Sequence, residues 1–328
     1  MREIYFQKNF KSWIRNVLGG SGGGLIIAFI ILFVGLSIAS PYFLSFDNII
    51  IVIRQAVFVA IIGFGMTFVI SMGGIDLSVG ATLAIAGIII ADIILKGTNI
   101  YLAILLVLML GVLIGFINGV IIAKIGVTDF IATLAMMSIL RGIIMVYSKG
   151  MPIFGLRFPE FQVLAQGFLG PIPVPVIIAA VLLVLCLYLF NRTKFGRYTV
   201  SIGSNAEAAR LVGINIPKIK ILVYTLTGLL AALSGILLTS RLEAATPEAG
   251  SGYELDVIAA TVIGGTSLSG GRGNLIGTAV GAVLMAMVRN GLNLLNINVF
   301  WHQVIIGIII LIAVALDSFS SKRESKSA

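Results

Sequence analysis

Arg141 and Asp92 stand inside long apolar runs of this 328-residue chain, and Asp76 sits in GGIDLSVG (73–80), between two such runs. GGTSLSGG (264–271) repeats the pattern G-G-x-x-L-S-x-G, with Ser267 where the first copy has Asp76. Ionisable groups inside a membrane are costly, usually paired, and face the protein interior or a water-filled cavity. Arg141 and Asp92 each lie about 13 residues into their runs, so both are expected about 20 Å deep at a rise of 1.5 Å per residue. The expectation is that they face one another or a shared polar cavity, with Lys96, one helical turn beyond Asp92, as the competing partner. Glycine permits positive φ and close backbone approach where apolar runs join, which is the use expected of Gly73, Gly74, Gly264 and Gly265. Asp76 beside Ser78 either caps the helix that follows or holds the mouth of a path. The two copies suggest a duplicated half with a transport path between the repeats. Asn118, Thr133 and Ser138 are polar positions in apolar runs; they line such a path or bond their own helix backbone.

Other chemistries are missing from the sequence. No G-x-x-x-x-G-K-[ST] phosphate loop occurs, nor any Gly-Lys pair, so a nucleotide would have to be hydrolysed on another chain. One histidine, His302, builds no metal site, and one cysteine, Cys186, forms no internal disulfide. The runs lack the acidic and histidine series of a proton relay, which argues against a proton-coupled carrier. No ring of charge or repeated filter marks an ion channel. The chain reads as non-catalytic.

These residues must be positioned by membrane helices. The chain is 59% hydrophobic and 11% charged, with a mean hydropathy of +1.13, whereas a soluble domain has about 25% charged residues. Apolar runs long enough to span about 30 Å of hydrocarbon recur throughout. Ten spans are expected, near 23–42, 50–70, 79–95, 100–122, 129–147, 172–190, 218–240, 256–271, 274–294 and 300–317. The eighth is short and reads as broken or re-entrant. Glycine accounts for 38 residues, and the steps Gly111-Gly115-Gly119 and Gly277-Gly281 are the small-residue spacing that lets helices pack closely in lipid. The fold class is therefore all-α, a polytopic helical bundle: an interfacial segment 1–22, one membrane domain 23–317 and a tail 318–328. Lys and Arg concentrate before the first span, at Lys124, in 191–220, at Arg272 and in the tail, with Lys96, Lys149, Arg157 and Arg241 on the other side. By the positive-inside rule both termini are cytoplasmic. The net charge of +9 then reflects topology and not affinity for nucleic acid.

The polar segment 191–220 has a helix signature of its own: Asn205 as N-cap of AEAARL, Gly213 as stop and Pro217 beyond. Glu207 falls at the positive end of that helix. Its sequence Glu207-Ala208-Ala209-x-x-x-Gly213 resembles the E-A-A-x-x-x-G coupling loop of binding-protein-dependent ABC importers. GGIDLSVGATLAIAG, DFIATLAMMSILRGIIMVYSKGMPI, FGRYTVSIGSNAEAARLVGI and YELDVIAATVIGGTSLSGGRGNLIGT resemble the membrane permease subunits of ribose/xylose/galactose-type sugar importers, over about residues 50–315. The resemblance implies a ten-span fold like that of cobalamin-type (type II) importers. It implies a homodimer in the bacterial inner membrane, paired with a cytoplasmic ATPase that holds ATP and magnesium and with an extracytoplasmic sugar-binding protein. It also implies a coupling loop within 191–217, including Gly203, Asn205, Glu207, Ala208, Ala209 and Gly213. This chain would then bind no cofactor, sit among lipid and pass a small sugar, with ribose expected first. Nucleosides, inositol, autoinducers and amino acids remain as other solutes of the class.

Overall fold

A computed structural model describes residues 23–324, so the expected interfacial segment 1–22 and the end of the expected tail lie outside the described residues. Helices α1 (Gly23–Ala39), α2 (Phe46–Ser71), α3 (Val79–Leu95) and α4 (Ile100–Val120) open the chain, and α4 runs into a π-helical turn, Ile121–Ile125. Then come α5 (Asp129–Ser148), strand β1 (Ile153–Phe154), α6 (Pro159–Gln166), the hairpin β2 (Phe168–Leu169) and β3 (Ile172–Pro173), and α7 (Val174–Arg192). Helices α8 (Lys194–Ser204), α9 (Ala206–Leu211), α10 (Ile216–Leu242), strand β4 (Ala244–Ala245), α11 (Tyr253–Ile263), α12 (Leu275–Leu294) and α13 (Val299–Glu324) complete it. Each expected span contains a helix. Among the described residues, six helices are long and apolar enough to cross a membrane: α2, α4 with its π turn, α5, α7, α10 and α12. The segment expected at 256–271 is a helix only to Ile263 and then turns, because Gly264 and Gly265 end it.

Asparagine and serine fix where helices begin. Ser45, Asn99, Asn205, Asn215 and Asn274 each occupy an N-cap and accept a hydrogen bond from a backbone N–H in the first turn. Such caps satisfy donors that no helix can satisfy for itself. Helices α2, α10 and α12 are buried over most of their length, whereas α4, α5 and α7 are largely exposed along theirs. The glycine steps set the closest approaches. Gly111, Gly115 and Gly119 lie on α10, where an added Cβ at Gly111 would fall 2.6 Å from the Gly228 carbonyl oxygen and one at Gly119 2.6 Å from Ile221 Cα. Gly277 and Gly281 press in the same way on Gly264 and Ala260 of the α11 region.

The two ends of the bundle differ. At one, α8 and α9 form a compact pair, here called the α9 end. At the other, β1 pairs antiparallel with β4, and α6 lies against the end of α10. Glu243, at φ +52°, accepts hydrogen bonds from Gln162 Nε2 (2.8 Å) and Gln166 Nε2 (3.0 Å). Arg54 Nη2 donates to the Gln166 carbonyl at 3.1 Å and stacks on Phe168.

Candidate functional site

The α9 end brings three distant segments together. Asn205 Oδ1 accepts from Ala208 N at 2.9 Å, starting α9 as its sequence indicates. Gly213, at φ +84°, ends it, with Gly213 N donating to Arg210 O and Ile214 N to Ala209 O, both at 3.0 Å. Glu207 and Ala208 are exposed. Ala209, expected on the docking face, is instead 3% exposed. It packs into the chain's own core, because one face of so short a helix must cover the bundle. The face left outward is marked by Leu211 (84% exposed) and Val212 (77%). Two neighbouring large apolar side chains thus stand open in a segment that joins spans.

Gly203, at the end of α8, has no room for a side chain: an added Cβ would overlap the Ser71 carbonyl oxygen and lie 2.7 Å from Gly271 N. Gly271 N in turn donates to Ser71 O at 2.9 Å. The α8–α9 pair thus rests on the last residue of α2 and on the second glycine motif. The sequence marks Gly203, but Ser71, Gly270 and Gly271 as its mates follow only from the fold.

The two motifs share letters but not conformations. In the first, Gly73 takes φ +85° and Gly74 N donates to Val69 O; in the second, Gly265 takes φ +92° and Thr266 N donates to Thr261 O. Both are left-handed C-caps of the Schellman kind, but they are offset by one residue, since Gly264 is still helical where Gly73 is not. The first motif then runs without helix from Gly74 to Asp76 and enters α3, whereas the second continues as turns to Asn274.

Asp76 is 1% exposed. Its Oδ1 accepts from Ser78 N (2.9 Å) and Ser78 Oγ (2.6 Å), and Ser78 Oγ also accepts from Asn118 Nδ2 (2.9 Å). Ser78 itself occupies the N-cap of α3, so Asp76 closes a turn before the helix and does not cap it directly. Burial pushes the Asp76 carboxyl up to about 6; the two Ser78 hydrogen bonds oppose this, and the Asp129 charge adds to it. Beside it, Thr133 Oγ1 donates to Ile75 O (3.3 Å) and Asp129 O (2.8 Å). Tyr224 OH donates to Asp129 Oδ2 at 2.7 Å, with Lys220 Nζ 3.6 Å from Asp129. Asp76, Ser78, Asn118 and Thr133 therefore belong to one buried polar cluster where α3, α4, α5 and α10 meet. An added Cβ at Gly74 would fall on Asp129 and 2.7 Å from Tyr224 OH, so the close approach requires glycine.

Arg141 and Asp92 do not pair. Asp92 accepts from Lys96 Nζ at 2.6 Å and from Tyr147 OH, while Arg141 Nη1 donates to the carbonyls of Pro247 and Ala249, each at 2.9 Å. The depth argument fails although α3 starts at Val79 as expected, because the non-helical residues before it already climb beside α5, with Thr133 Oγ1 donating to Ile75 O at 3.3 Å. Asp92 is thereby level with Tyr147, about 9 Å beyond Arg141 at the helical rise. Arg141 holds the segment leading into α11, where an acidic group collects. Glu254 Oε1 accepts from Gly252 N at 3.3 Å, and its Oε2 is buried against Gly80 without a hydrogen-bond partner among the described residues. Asp256, 0% exposed, takes Arg289 Nε and Nη2 on Oδ2, both at 2.6 Å, and its Oδ1 has no hydrogen-bond partner among the described residues. Sequence reasoning passed over Glu254, Asp256 and Arg289, although an acidic pair at the start of a short helix was a visible signal. Ser138 bonds its own helix at Leu134 O. No cluster of three or more His, Cys, Asp or Glu able to hold a metal ion occurs among the described residues.

Residues 48–314 match the family described as branched-chain amino acid transport system / permease component. The chain is similar to the ribose import permease protein of Bacillus subtilis (strain 168), 47% identical over 295 residues, which cover 90% of this chain and 92% of the relative. It is 44% identical over 298 residues to the ribose import permease protein of Escherichia coli (strain K12), covering 89% and 92%. The D-allose transport system permease protein of Escherichia coli (strain K12) is 36% identical over 302 residues, covering 92% of each. No solved structure matches the chain.

Proposed function

We propose, of a chain that belongs to the family described as branched-chain amino acid transport system / permease component, that it is the membrane permease of an ATP-driven importer of ribose. The family's description names amino acids, whereas relatives similar over nine-tenths of the chain include ones named for ribose, allose and arabinose; the higher identity to the ribose permeases favours that pentose. The observation that carries the coupled reading is the α8–α9 pair, seated on α2 and the second glycine motif with Leu211 and Val212 outward. A nucleotide-driven partner pressing on that face would move α2 and the α11–α12 turn directly.

In this reading the ten helical segments cross the membrane, α11 as a short, broken one, in an arrangement of the type II importer kind. Two copies enclose the path, and the α9 end is cytoplasmic together with both termini. The distribution of Lys and Arg supports that orientation. A cytoplasmic ATPase, which carries ATP and magnesium, contacts the outward face of α9, and a sugar-binding protein delivers substrate at the α6 end of the bacterial inner membrane. The chain itself holds no cofactor. Arg141, half-buried and about 20 Å into its helix, belongs beside the path, because a lipid-facing guanidinium at that depth is costly. The test is uptake into proteoliposomes containing the permease, its ATPase and its binding protein. ATP-dependent accumulation of ribose over allose and arabinose is expected. Uptake without ATP would reject the coupled reading, and equal uptake of all three sugars would reject the assignment to ribose.

A further inference from the structure

The Gly111-Gly115-Gly119 step clamps α4 to α10. Directly after Gly119 the backbone widens into the π-helical turn Ile121–Ile125 and then stops at Gly126, φ +85°. Such turns often mark functional sites. Here a groove of about 570 Å³ lies between the π turn and the start of α10. Its floor is Ala123, Ile221 and Leu222, and its mouth carries Lys124, Lys218 and the start of α10 at Asn215 and Pro217.

Charge and position define what fits. Lys124 and Lys218 are exposed, and neither has a carboxylate within ion-pair distance among the described residues, whereas nearby Lys220 is matched by Asp129 at 3.6 Å. The mouth therefore carries two uncompensated positive charges beside the N-terminus of α10, which itself favours an anion. Ile221 and Leu222 lie about 8 Å along α10 from its start at 1.5 Å per residue. The groove so passes from the level of lipid headgroups to the level of acyl chains. Ile125 (70% exposed) and Leu222 (43%) extend the apolar surface beside it. A groove with an apolar floor and a doubly basic mouth, at the end of membrane helices, matches an anionic phospholipid in both halves.

We propose that this groove binds one anionic phospholipid of the leaflet on the α9 side, its phosphate between Lys124 and Lys218 and its acyl chains on Ile221 and Leu222. The lipid would fill the groove between the π turn and the start of α10, next to the segment that carries the coupling pair.

The test uses the full chain in detergent micelles, offered phosphatidylglycerol or phosphatidylcholine, with retained lipid counted by native mass spectrometry. Wild type should retain phosphatidylglycerol in preference to phosphatidylcholine. Lys124→Gln with Lys218→Gln should weaken that retention on the order of tenfold, Lys124→Arg with Lys218→Arg should keep it, and Lys149→Gln at the other end should leave it unchanged. Equal retention by the double Gln variant, or no headgroup preference in wild type, would overturn the proposal. So would a double Gln variant that loses the ATPase but keeps the lipid, because the groove would then be a protein contact.

Discussion

The two glycine turns, near-copies in sequence, do different work. The second lies under Gly203 and Ser71 and touches the α8–α9 pair, so it is a mechanical contact. The first carries Asp76 into a buried cluster with Ser78 and Asn118 beside Thr133, Asp129 and Tyr224, so it fixes where α3 starts. A repeated motif therefore identifies a repeated way of ending a helix, a left-handed glycine cap, and not a repeated function. The change from Asp76 to Ser267, one of three between the copies, goes with the change of neighbours.

Crowding should separate the turns most clearly. Gly203→Val drives a side chain into the Ser71 carbonyl and should cost on the order of 3 kcal/mol, while also releasing the ATPase. Gly73→Ala, where nothing lies within 4 Å of the added Cβ, should show only the strain of φ +85°, about 1 kcal/mol. Thermal melting in detergent and ATPase co-purification measure both, and equal effects would erase the distinction. Next in size is Asp76→Ala, which strands the Ser78 amide and hydroxyl and should cost about 2 kcal/mol.

The Asp76 carboxyl also predicts a pH dependence. Its folded value of about 6 stands above the ordinary 3.8. Between those values the folded chain holds a proton that the unfolded chain has released. Stability should therefore fall as pH rises through that window, by up to about 1.4 kcal/mol per unit, and level off above it. Asp76→Asn keeps an oxygen acceptor for Ser78 and should flatten the slope; an unchanged slope would place its origin elsewhere. Smallest is Ser267→Ala, expected to shift stability by less than about 1 kcal/mol and leave pH dependence alone. A larger shift would show that the second turn has a polar role like that of the first.

What the sequence made legible was local or periodic. The start of the short helix α9 followed from Asn205 and its end from Gly213, and close helix packing from Gly111, Gly115 and Gly119. Arg141 and Asp92 were misjudged because depth was counted along each helix, and the non-helical rise before α3 displaces that count. The burial of Ala209 was not legible, because a six-residue helix has too few turns to reveal which face is buried. The α6 end was missed because two-residue strands and an eight-residue helix give no periodic signal. The seating of Gly203 on Gly271 joins residues far apart in sequence, and nothing in either segment alone announces it.

The central claim is that the chain is driven through the outward face of α9. Leu211→Asp with Val212→Asp tests it most directly, since both side chains are exposed and their replacement leaves the core intact. The account predicts a membrane-inserted permease whose stability changes by no more than about 0.5 kcal/mol, that no longer co-purifies with its ATPase and takes up no ribose. Normal co-purification and normal ATP-dependent uptake by this double variant would contradict it, leaving α9 a connector between spans.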